Sequence, residues 1–359
     1  MGAARLRPGV GERLRAGMVI PAHPLALDAQ RRLDVRRQAA LTRYYLAAGA
    51  GGVAVGVHTT QFGIRDPGVD LLEPVLRLAA RTVEAADPAG RTLKVAGVLG
   101  PTPQALREAA LAADLGYDLG LVSLGGLHAL DDAALVEHVR RVSEVLPVMG
   151  FYLQPAVGGR PLGFSFWRRL ADLPGVAAIK LAPFDRYATV DVVRAVAFSD
   201  RAGEIALLTG NDDSWVVDLL TPFRFTVRGQ PVQLRITGGL LGQWAVWTRR
   251  AVEVLAAIHR VSAPPGAAVP QELLALGAAF TEANAALFDP SHGFRGSIAG
   301  IHEVLRRQGL LAGRWCLDPE EDLSPGQMEE IDRVLAAHPE LQDDDFVAAH
   351  RDEWLEASG

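Results

Sequence analysis

The sequence predicts a single (β/α)₈ TIM barrel of the α/β class with a C-terminal helical extension. Three observations predict it: eight short apolar runs between residues 18 and 255, amphipathic stretches between the runs, and helical patterns without strands after residue 260. The alternation is typical of βα units around a parallel sheet, and the near-continuous apolar runs indicate strands covered on both faces. A doubly wound open sheet is the competing arrangement. We expect the barrel to span 1–258 and a helical region packed on it to span 259–359.

The predicted elements follow in chain order. Strands are expected at 18–22, 52–57, 94–99, 119–124, 148–153, 177–182, 205–209 and 235–239. Residues 103–116 have apolar side chains at helical spacing and end on a glycine, which predicts one of the intervening helices. Residues 221–233 interrupt the seventh unit and predict a small hairpin around Arg228 and Gly229. Later helices are expected at 270–288, 297–309 and 324–338, and the final segment, 339–359, is expected to fray at its end.

Composition excludes several classes of partner and setting. The formal net charge of −6 and the lack of a Lys- or Arg-rich stretch argue against a nucleic-acid partner. Cys316 is the only cysteine, which excludes an intrachain disulfide and a thiolate zinc cluster, and a reducing cytoplasm is the expected setting. Residues 1–17 lack the apolar core of a signal peptide, and no apolar run reaches membrane-spanning length, so no membrane partner is expected.

Lys180 is the sharpest candidate for chemistry. A barrel builds its active site at the carboxyl ends of its strands. The polar residues expected there are His23, 58–61, His128, Tyr152, Lys180 and 209–213. The chain has 34 arginines and only two lysines, so a lysine in the apolar sixth strand is not a generic positive charge. Burial lowers the pKa of a lysine and makes its amine a nucleophile towards carbonyl groups, which arginine cannot become.

A structural interpretation of Lys180 is also open, in which it pairs with a buried carboxylate or extends from a strand end to solvent. Lys94 opens the third strand at the opposite end of the barrel, and we interpret it as structural. Tyr152, near the end of the fifth strand, could relay protons to the Lys180 amine, or it could simply pack in the core with a satisfied hydroxyl.

Three motifs carry a resemblance to a known family. They are "FYLQP" at 151–155, "AAIKLAP" at 177–183 and "LLTGNDD" at 207–213. They resemble the dihydrodipicolinate synthase and N-acetylneuraminate lyase family of class I aldolases, with the order and separation of Tyr152 and Lys180 as the most specific part. The likeness runs from "GMVIPA" at 17–22 to a tail at 304–331 that is similar to the family's closing helices.

The resemblance implies a mechanism without a cofactor or metal. Lys180 would form a Schiff base with the keto carbon of a 2-oxo acid, usually pyruvate, and Tyr152 would relay protons while a carbon–carbon bond is made or broken. The segment containing Gly210, Asn211 and Asp212 would contact the second substrate or a sugar-like chain. A homo-oligomer, either dimer or tetramer, is implied as well. The partner expected from the resemblance is therefore a small 2-oxo acid or aldehyde.

Departures from the family pattern point to a different substrate. The family's Gly-Thr-Thr-Gly-Glu run, which holds the substrate carboxylate, reads here as "GVHTTQF" at 56–62, so Thr59 and Thr60 keep that role in shifted register beside His58. No tyrosine follows the fourth strand, where His128 is either a substitute acid–base or a solvated surface residue. Arg160 is a displaced counterpart of the family arginine. True dihydrodipicolinate synthase activity is therefore not expected.

Two other classes of function remain open from the residues. A metal-dependent barrel lyase or hydrolase would use ligands drawn from His23, His58, His128 and Asp212, although their spacing matches no established zinc motif. A barrel that binds a small molecule without turnover would need none of this chemistry, because fold does not establish function.

Overall fold

Eight parallel strands form a nearly closed barrel, which confirms the predicted fold. The computed structural model describes residues 2–264 and 266–356. The barrel strands are β1 (Val19–Pro21), β2 (Gly52–Val55), β3 (Leu93–Val98), β4 (Leu119–Val122), β5 (Val148–Leu153), β6 (Val176–Ala182), β7 (Ala206–Thr209) and, after a two-stranded insertion, β10 (Gly238–Leu241). Their order is β1-β10-β7-β6-β5-β4-β3-β2, and a parallel bridge from Ala22 to Ala54 joins the two ends of that order.

The insertion is the predicted hairpin. Strands β8 (Phe223–Val227) and β9 (Gln230–Leu234) pair antiparallel, and the turn between them contains Arg228 and Gly229. Both turn residues have positive φ, 50° and 78°, which is the backbone geometry that a two-residue hairpin prefers. The eighth barrel strand was expected at 235–239 and begins instead at Gly238, because the hairpin's second strand extends to Leu234.

Helices follow the strands around the sheet and continue beyond it. They are α1 (Val10–Ala16), α2 (Val35–Ala47), α3 (Leu72–Ala86), α4 (Thr102–Asp114), α5 (Asp132–Val142), α6 (Phe164–Ala171), α7 (Arg186–Ala197), α8 (Trp215–Leu220), α9 (Thr248–Ser262), α10 (Gln271–Phe288), α11 (Ser297–Arg307), α12 (Gln327–Ala337) and α13 (Asp344–Glu356). Asp34, Asp131 and Asp185 cap α2, α5 and α7 by accepting a backbone N–H of the first turn. No helix within the described ranges combines the length and apolarity that a bilayer span requires.

The chain divides into two compact units. The first joins the N-terminal residues through Met18 to Val95–Leu240, and the second joins Val19–Lys94 to the chain from Leu241 onward. The first unit contains β4 to β7 with helices α4 to α8 and the hairpin. Its core includes the fully buried aromatic residues Phe166, Trp167 and Trp215. The predicted boundary at residue 258, between the barrel and the C-terminal helical region, stays a prediction.

The second unit contains the C-terminal helix, which docks on α2. The Tyr44 hydroxyl donates to the Asp343 carboxylate at 2.7 Å, and the Arg43 side chain donates to the Trp354 carbonyl at 2.7 Å. Both Tyr44 and Asp343 are buried. The acidic run at 343–345 therefore begins an ordered helix that continues to Glu356. The predicted fraying concerns the last residues, 357–359, which lie outside the described ranges.

Candidate active site

Lys180 lies on β6 with only 8% of its surface exposed. The strand register pairs it with Phe151 of β5 on one side and Leu208 of β7 on the other. Its Nζ atom lies over the Phe151 ring, 4.6 Å from the ring centroid. An aromatic face attracts a cation, so this ring stabilises the protonated amine and also fixes its position.

Gly210, the residue after β7, makes room for the lysine side chain. An added Cβ at this position would lie 2.4 Å from the Lys180 Cε atom and 2.9 Å from the Ala182 Cβ atom. Its backbone N–H donates to the Leu181 carbonyl at 2.6 Å, which holds the end of β7 against β6. We predicted Gly210 as a substrate contact, and in the structure it packs against the stem of Lys180.

Burial and charge act on the Lys180 amine in opposite directions. Removal from water disfavours the ammonium form and is the larger effect, while the negative charge of Asp212 favours it; together they lower the pKa of Lys180 to about 8. At about pH 7 this pKa leaves roughly a tenth of the amine unprotonated, as nucleophilic attack requires. Asp212 is a buried carboxylate of the kind that the structural interpretation of Lys180 requires, so the choice between a structural lysine and a nucleophile stays a prediction at this point.

Tyr152 is oriented away from Lys180, contrary to the predicted proton relay. A register irregularity between Val148 and Met149 places Phe151 opposite Lys180, so the next residue faces the other side of the strand. The Tyr152 ring packs on Trp167 of α6 with centroids 5.1 Å apart, and its hydroxyl accepts the Leu162 N–H at 3.2 Å. Tyr152 therefore packs against a helix, and the relay would need another group.

Asn211 holds the loops around the site together. Its side-chain oxygen accepts the Phe184 N–H at 3.0 Å, and its amide group donates to Thr189 at 3.1 Å and to Asp218 at 2.9 Å. The first of these bonds supports a left-handed backbone turn at Phe184, where φ is 52°. Both amide hydrogens are used inside the protein, so the predicted contact to a second substrate does not fit this arrangement.

Asp218 is the buried centre of this network, and it is not among the site residues that the sequence predicts. Its carboxylate accepts from Thr209 at 2.7 Å and pairs with Arg186, and burial raises its pKa. A single acid in the apolar helix "WVVDLL" was a signal, since buried carboxylates are rare unless paired. Phe151 was missed as well, because a phenylalanine beside a motif tyrosine gives no chemical signal.

Arg160 joins two loops of the first unit. Its guanidinium donates to the carbonyls of Leu127 and Leu130 at 3.2 and 2.9 Å, which links the segment after β5 to the segment after β4. His128 lies in the latter segment with an exposed side chain. The exposure agrees with a solvated surface histidine, and the role of Arg160 in substrate binding stays a prediction.

In the second unit, the hydroxyls after β2 organise a turn around the His23 carbonyl. Thr59 and Thr60 both donate to this carbonyl, at 3.3 and 2.7 Å, and Thr60 also accepts the Gly56 N–H at 3.0 Å. His58 begins the short helical turn His58–Thr60. Substrate binding by these three residues stays a prediction, and any carboxylate held by Thr60 would compete with these bonds.

His23, one of the four candidate ligands of the metal alternative, follows β1 and is hydrogen-bonded within the protein. The Nδ1 atom of His23 lies 2.8 Å from the Pro24 carbonyl and 2.9 Å from the Gln38 side-chain amide nitrogen, and Nε2 lies 2.9 Å from the Thr42 hydroxyl. Burial lowers the pKa of His23 to about 4, so the ring is neutral and fully hydrogen-bonded. Among the described residues, no group of three or more His, Cys, Asp or Glu side chains is arranged to hold a metal ion.

Fold and site together define a (β/α)₈ barrel with a buried lysine of lowered pKa on its sixth strand. No family model matches the chain. An uncharacterised DapA-like lyase of Halobacterium salinarum is 31% identical over 176 residues, which are 48% of this chain and 55% of that protein. The chain therefore spans about half the length of the curated relatives it matches.

Solved structures share the fold over most of the chain. Dihydrodipicolinate synthase from Oceanobacillus iheyensis matches with a TM-score of 0.71 at 19% identity, covering 92% of this chain and 99% of that one. YagE from E. coli K12, a member of the dihydrodipicolinic acid synthase family in complex with pyruvate, gives 0.70 at 18% identity with coverages of 90% and 97%. N-acetylneuraminate lyase from Fusobacterium nucleatum gives 0.68 at 14% identity with coverages of 91% and 99%. The predicted fold is confirmed, and the chain is similar in sequence to DapA-like lyases over 48% of its length.

Proposed function

We propose that the protein is a Schiff-base-forming lyase of the class I aldolase type, a divergent member of the dihydrodipicolinate synthase and N-acetylneuraminate lyase family. Lys180 is its nucleophile. The observation that carries the proposal is the buried Lys180 amine, whose pKa is lowered to about 8 on the sixth barrel strand. A lysine of this kind reacts with a carbonyl carbon, because a substantial fraction of its amine is unprotonated near neutral pH.

The Schiff base supplies the chemistry of the reaction. When the Lys180 amine replaces the keto oxygen of a 2-oxo acid, the iminium group withdraws electrons from the carbon adjacent to the imine carbon. A bond to that adjacent carbon can then break or form through an enamine, which leads to carbon–carbon or carbon–oxygen lyase chemistry. Phe151 and Gly210 contribute by fixing the amine: one lies under Nζ and the other leaves space for the stem.

Pyruvate or a derivative is the substrate class that we propose. The support comes from related proteins: YagE binds pyruvate, and the curated relatives are named DapA-like lyases. We do not propose true dihydrodipicolinate synthase activity, because the chain lacks the tyrosines after the fourth strand and has His58 where the family has a glycine-threonine run. Recognition of the substrate carboxylate by Thr59 and Thr60 is part of the proposal, as are a homo-oligomeric state and a cytoplasmic setting.

Borohydride trapping tests the proposal. The protein is incubated with a panel of 2-oxo acids and aldehydes and reduced with borohydride, and its intact mass is measured by mass spectrometry. At least one 2-oxo acid should leave a reduced adduct, and Lys180→Arg should leave none while it keeps the wild-type thermal unfolding, since arginine retains the charge without a titratable amine. A barrel that binds these compounds without forming any adduct would be a binding protein instead. Loss of activity with a chelator and its return with zinc would favour the metal-dependent alternative.

A further inference from the structure

A Schiff-base reaction at Lys180 needs a group that moves protons between the amine and the keto oxygen. The family motif suggested Tyr152, which faces α6. The β5 residue beside the amine is Phe151, whose ring has no proton to give. The proton-transfer group must therefore come from another element.

The end of β7 brings a carboxylate to this amine. Gly210 lies against the Lys180 stem, with its missing Cβ only 2.4 Å from Cε, so the chain that follows leaves β7 beside the reactive end of the lysine. Asp212 is two residues further on, and it is 5% exposed. The negative charge of Asp212 raises the pKa of the Lys180 amine, against the larger lowering by burial.

The neighbouring polar groups have other partners. Asn211 uses both amide hydrogens on Thr189 and Asp218. Asp218 pairs with Arg186 and accepts from Thr209. These groups form one network that ties the loop after β7 to α7 and α8.

We propose that Asp212 is the general acid–base of this site, a catalytic residue that takes the place of the family's tyrosine. The inference rests on the proposed Schiff-base function and adds the identity of the proton carrier. It differs from the role first expected for Asp212, a contact to the second substrate.

The proton steps balance with this single carboxylate. Asp212 first removes a proton from the Lys180 ammonium, and the free amine adds to the keto carbon as the carbonyl pair moves to oxygen. Asp212 returns its proton to that oxygen, takes one from nitrogen, and delivers it to the hydroxyl as the carbon–oxygen bond breaks. Water leaves, and the products are the iminium and the original carboxylate. An ammonium and a ketone have become an iminium and water, so charge and atoms are conserved.

The test compares trapping rates in matched variants. Wild type, Asp212→Asn, Asp212→Ala and Asp212→Glu are mixed with saturating pyruvate, and the reduced adduct is followed over time. Asp213→Asn removes the adjacent carboxylate and is the control. Asp212→Asn should form the adduct at least about a hundredfold more slowly, with a smaller change in the half-saturating pyruvate concentration, because loss of a general acid–base typically costs that much. Asp213→Asn should stay within about threefold of wild type, well below that cost.

Chemical rescue separates proton transfer from a structural role. Added formate should accelerate the adduct formation of Asp212→Ala at least about tenfold and leave wild type unchanged, since a small acid can replace a missing one. Asp212→Glu should retain part of the wild-type rate. The inference is overturned if Asp212→Asn forms the adduct at the wild-type rate, or if Asp212→Ala forms it slowly and formate does not accelerate it. Either result leaves the proposed function intact. No wild-type adduct with any 2-oxo acid overturns both.

Discussion

The burial of Lys180 and the charge of Asp212 predict how the rate of adduct formation depends on pH, in wild type and in a variant without the Asp212 carboxylate. Burial lowers the pKa of the lysine from 10.5 to about 8. At pH 7 this lower pKa gives about three hundred times more neutral amine than an ordinary lysine has. The initial rate of adduct formation by wild type should therefore rise with pH to a midpoint near 8.

Asp212→Asn changes this profile in two opposite ways. The variant loses the negative charge that favours the ammonium form, so its midpoint should move below 8 and its neutral amine should become more abundant at neutral pH. Its rate should nevertheless be lower throughout, because the proton carrier is absent. The assay is the borohydride-trapped adduct, measured from about pH 6 to 10 across the range of both lysine pKa values. A wild-type midpoint near 10.5, or an upward move in the variant, would refute the electrostatic account.

Three further results are expected. Gly210→Ala should slow adduct formation about a hundredfold, because its Cβ displaces Lys180 and small misplacements of a nucleophile have effects of this size; a wild-type rate would contradict this. Tyr152→Phe should form the adduct at a rate within a few-fold of wild type, because the Tyr152 hydroxyl is hydrogen-bonded to Leu162. A decrease in rate as large as that expected for Asp212→Asn would instead support Tyr152 as the proton relay. Burial raises the pKa of Asp343 to about 6, so the folded protein holds this proton more tightly than the unfolded chain. The stability that Asp343 contributes is lost as pH rises from about 4 to 6. In urea titrations over this range, the free energy of unfolding of wild type should fall by up to about 3 kcal/mol relative to that of Asp343→Asn. A difference between the two proteins that does not change with pH would contradict this expectation.

The sequence predicts the barrel because its elements are locally consistent. Apolar strand runs alternate with amphipathic helices, and glycine or aspartate residues stand at the element ends. The hairpin at 223–234 was predictable for the same reason, since Arg228 and Gly229 form its turn. These features depend on short stretches of chain, which can be interpreted without knowledge of neighbours in space.

The orientation of Tyr152 could not be predicted in this way. A strand exposes alternate residues to opposite faces, so a shift of one residue exchanges the two sides. The irregularity at Val148 and Met149 makes that shift, and the motif "FYLQP" reads the same with or without it. Register depends on the pairing of β5 with β6, which is a property of the folded sheet.

The structural role of Asn211 could not be predicted from the sequence for a related reason. Its partners, Thr189 on α7 and Asp218 on α8, lie 22 and 7 residues away along the chain. A polar residue in a motif indicates that hydrogen bonds are made, but the motif does not say whether they go to a ligand or to the protein. The position of Lys180 was predictable, because its rarity and apolar strand are both visible in the sequence.

The most direct test of the central claim is the location of the trapped adduct. The chain has two lysines, and Lys94 serves as an internal control because it forms an ion pair with Glu84 at 2.7 Å. After reduction with borohydride in the presence of pyruvate, the protein is digested and both lysine peptides are measured by mass spectrometry. We predict a reduced pyruvate adduct on the peptide that contains Lys180 and an unmodified Lys94. An adduct on Lys94 alone, or equal modification of the two lysines, would contradict the account.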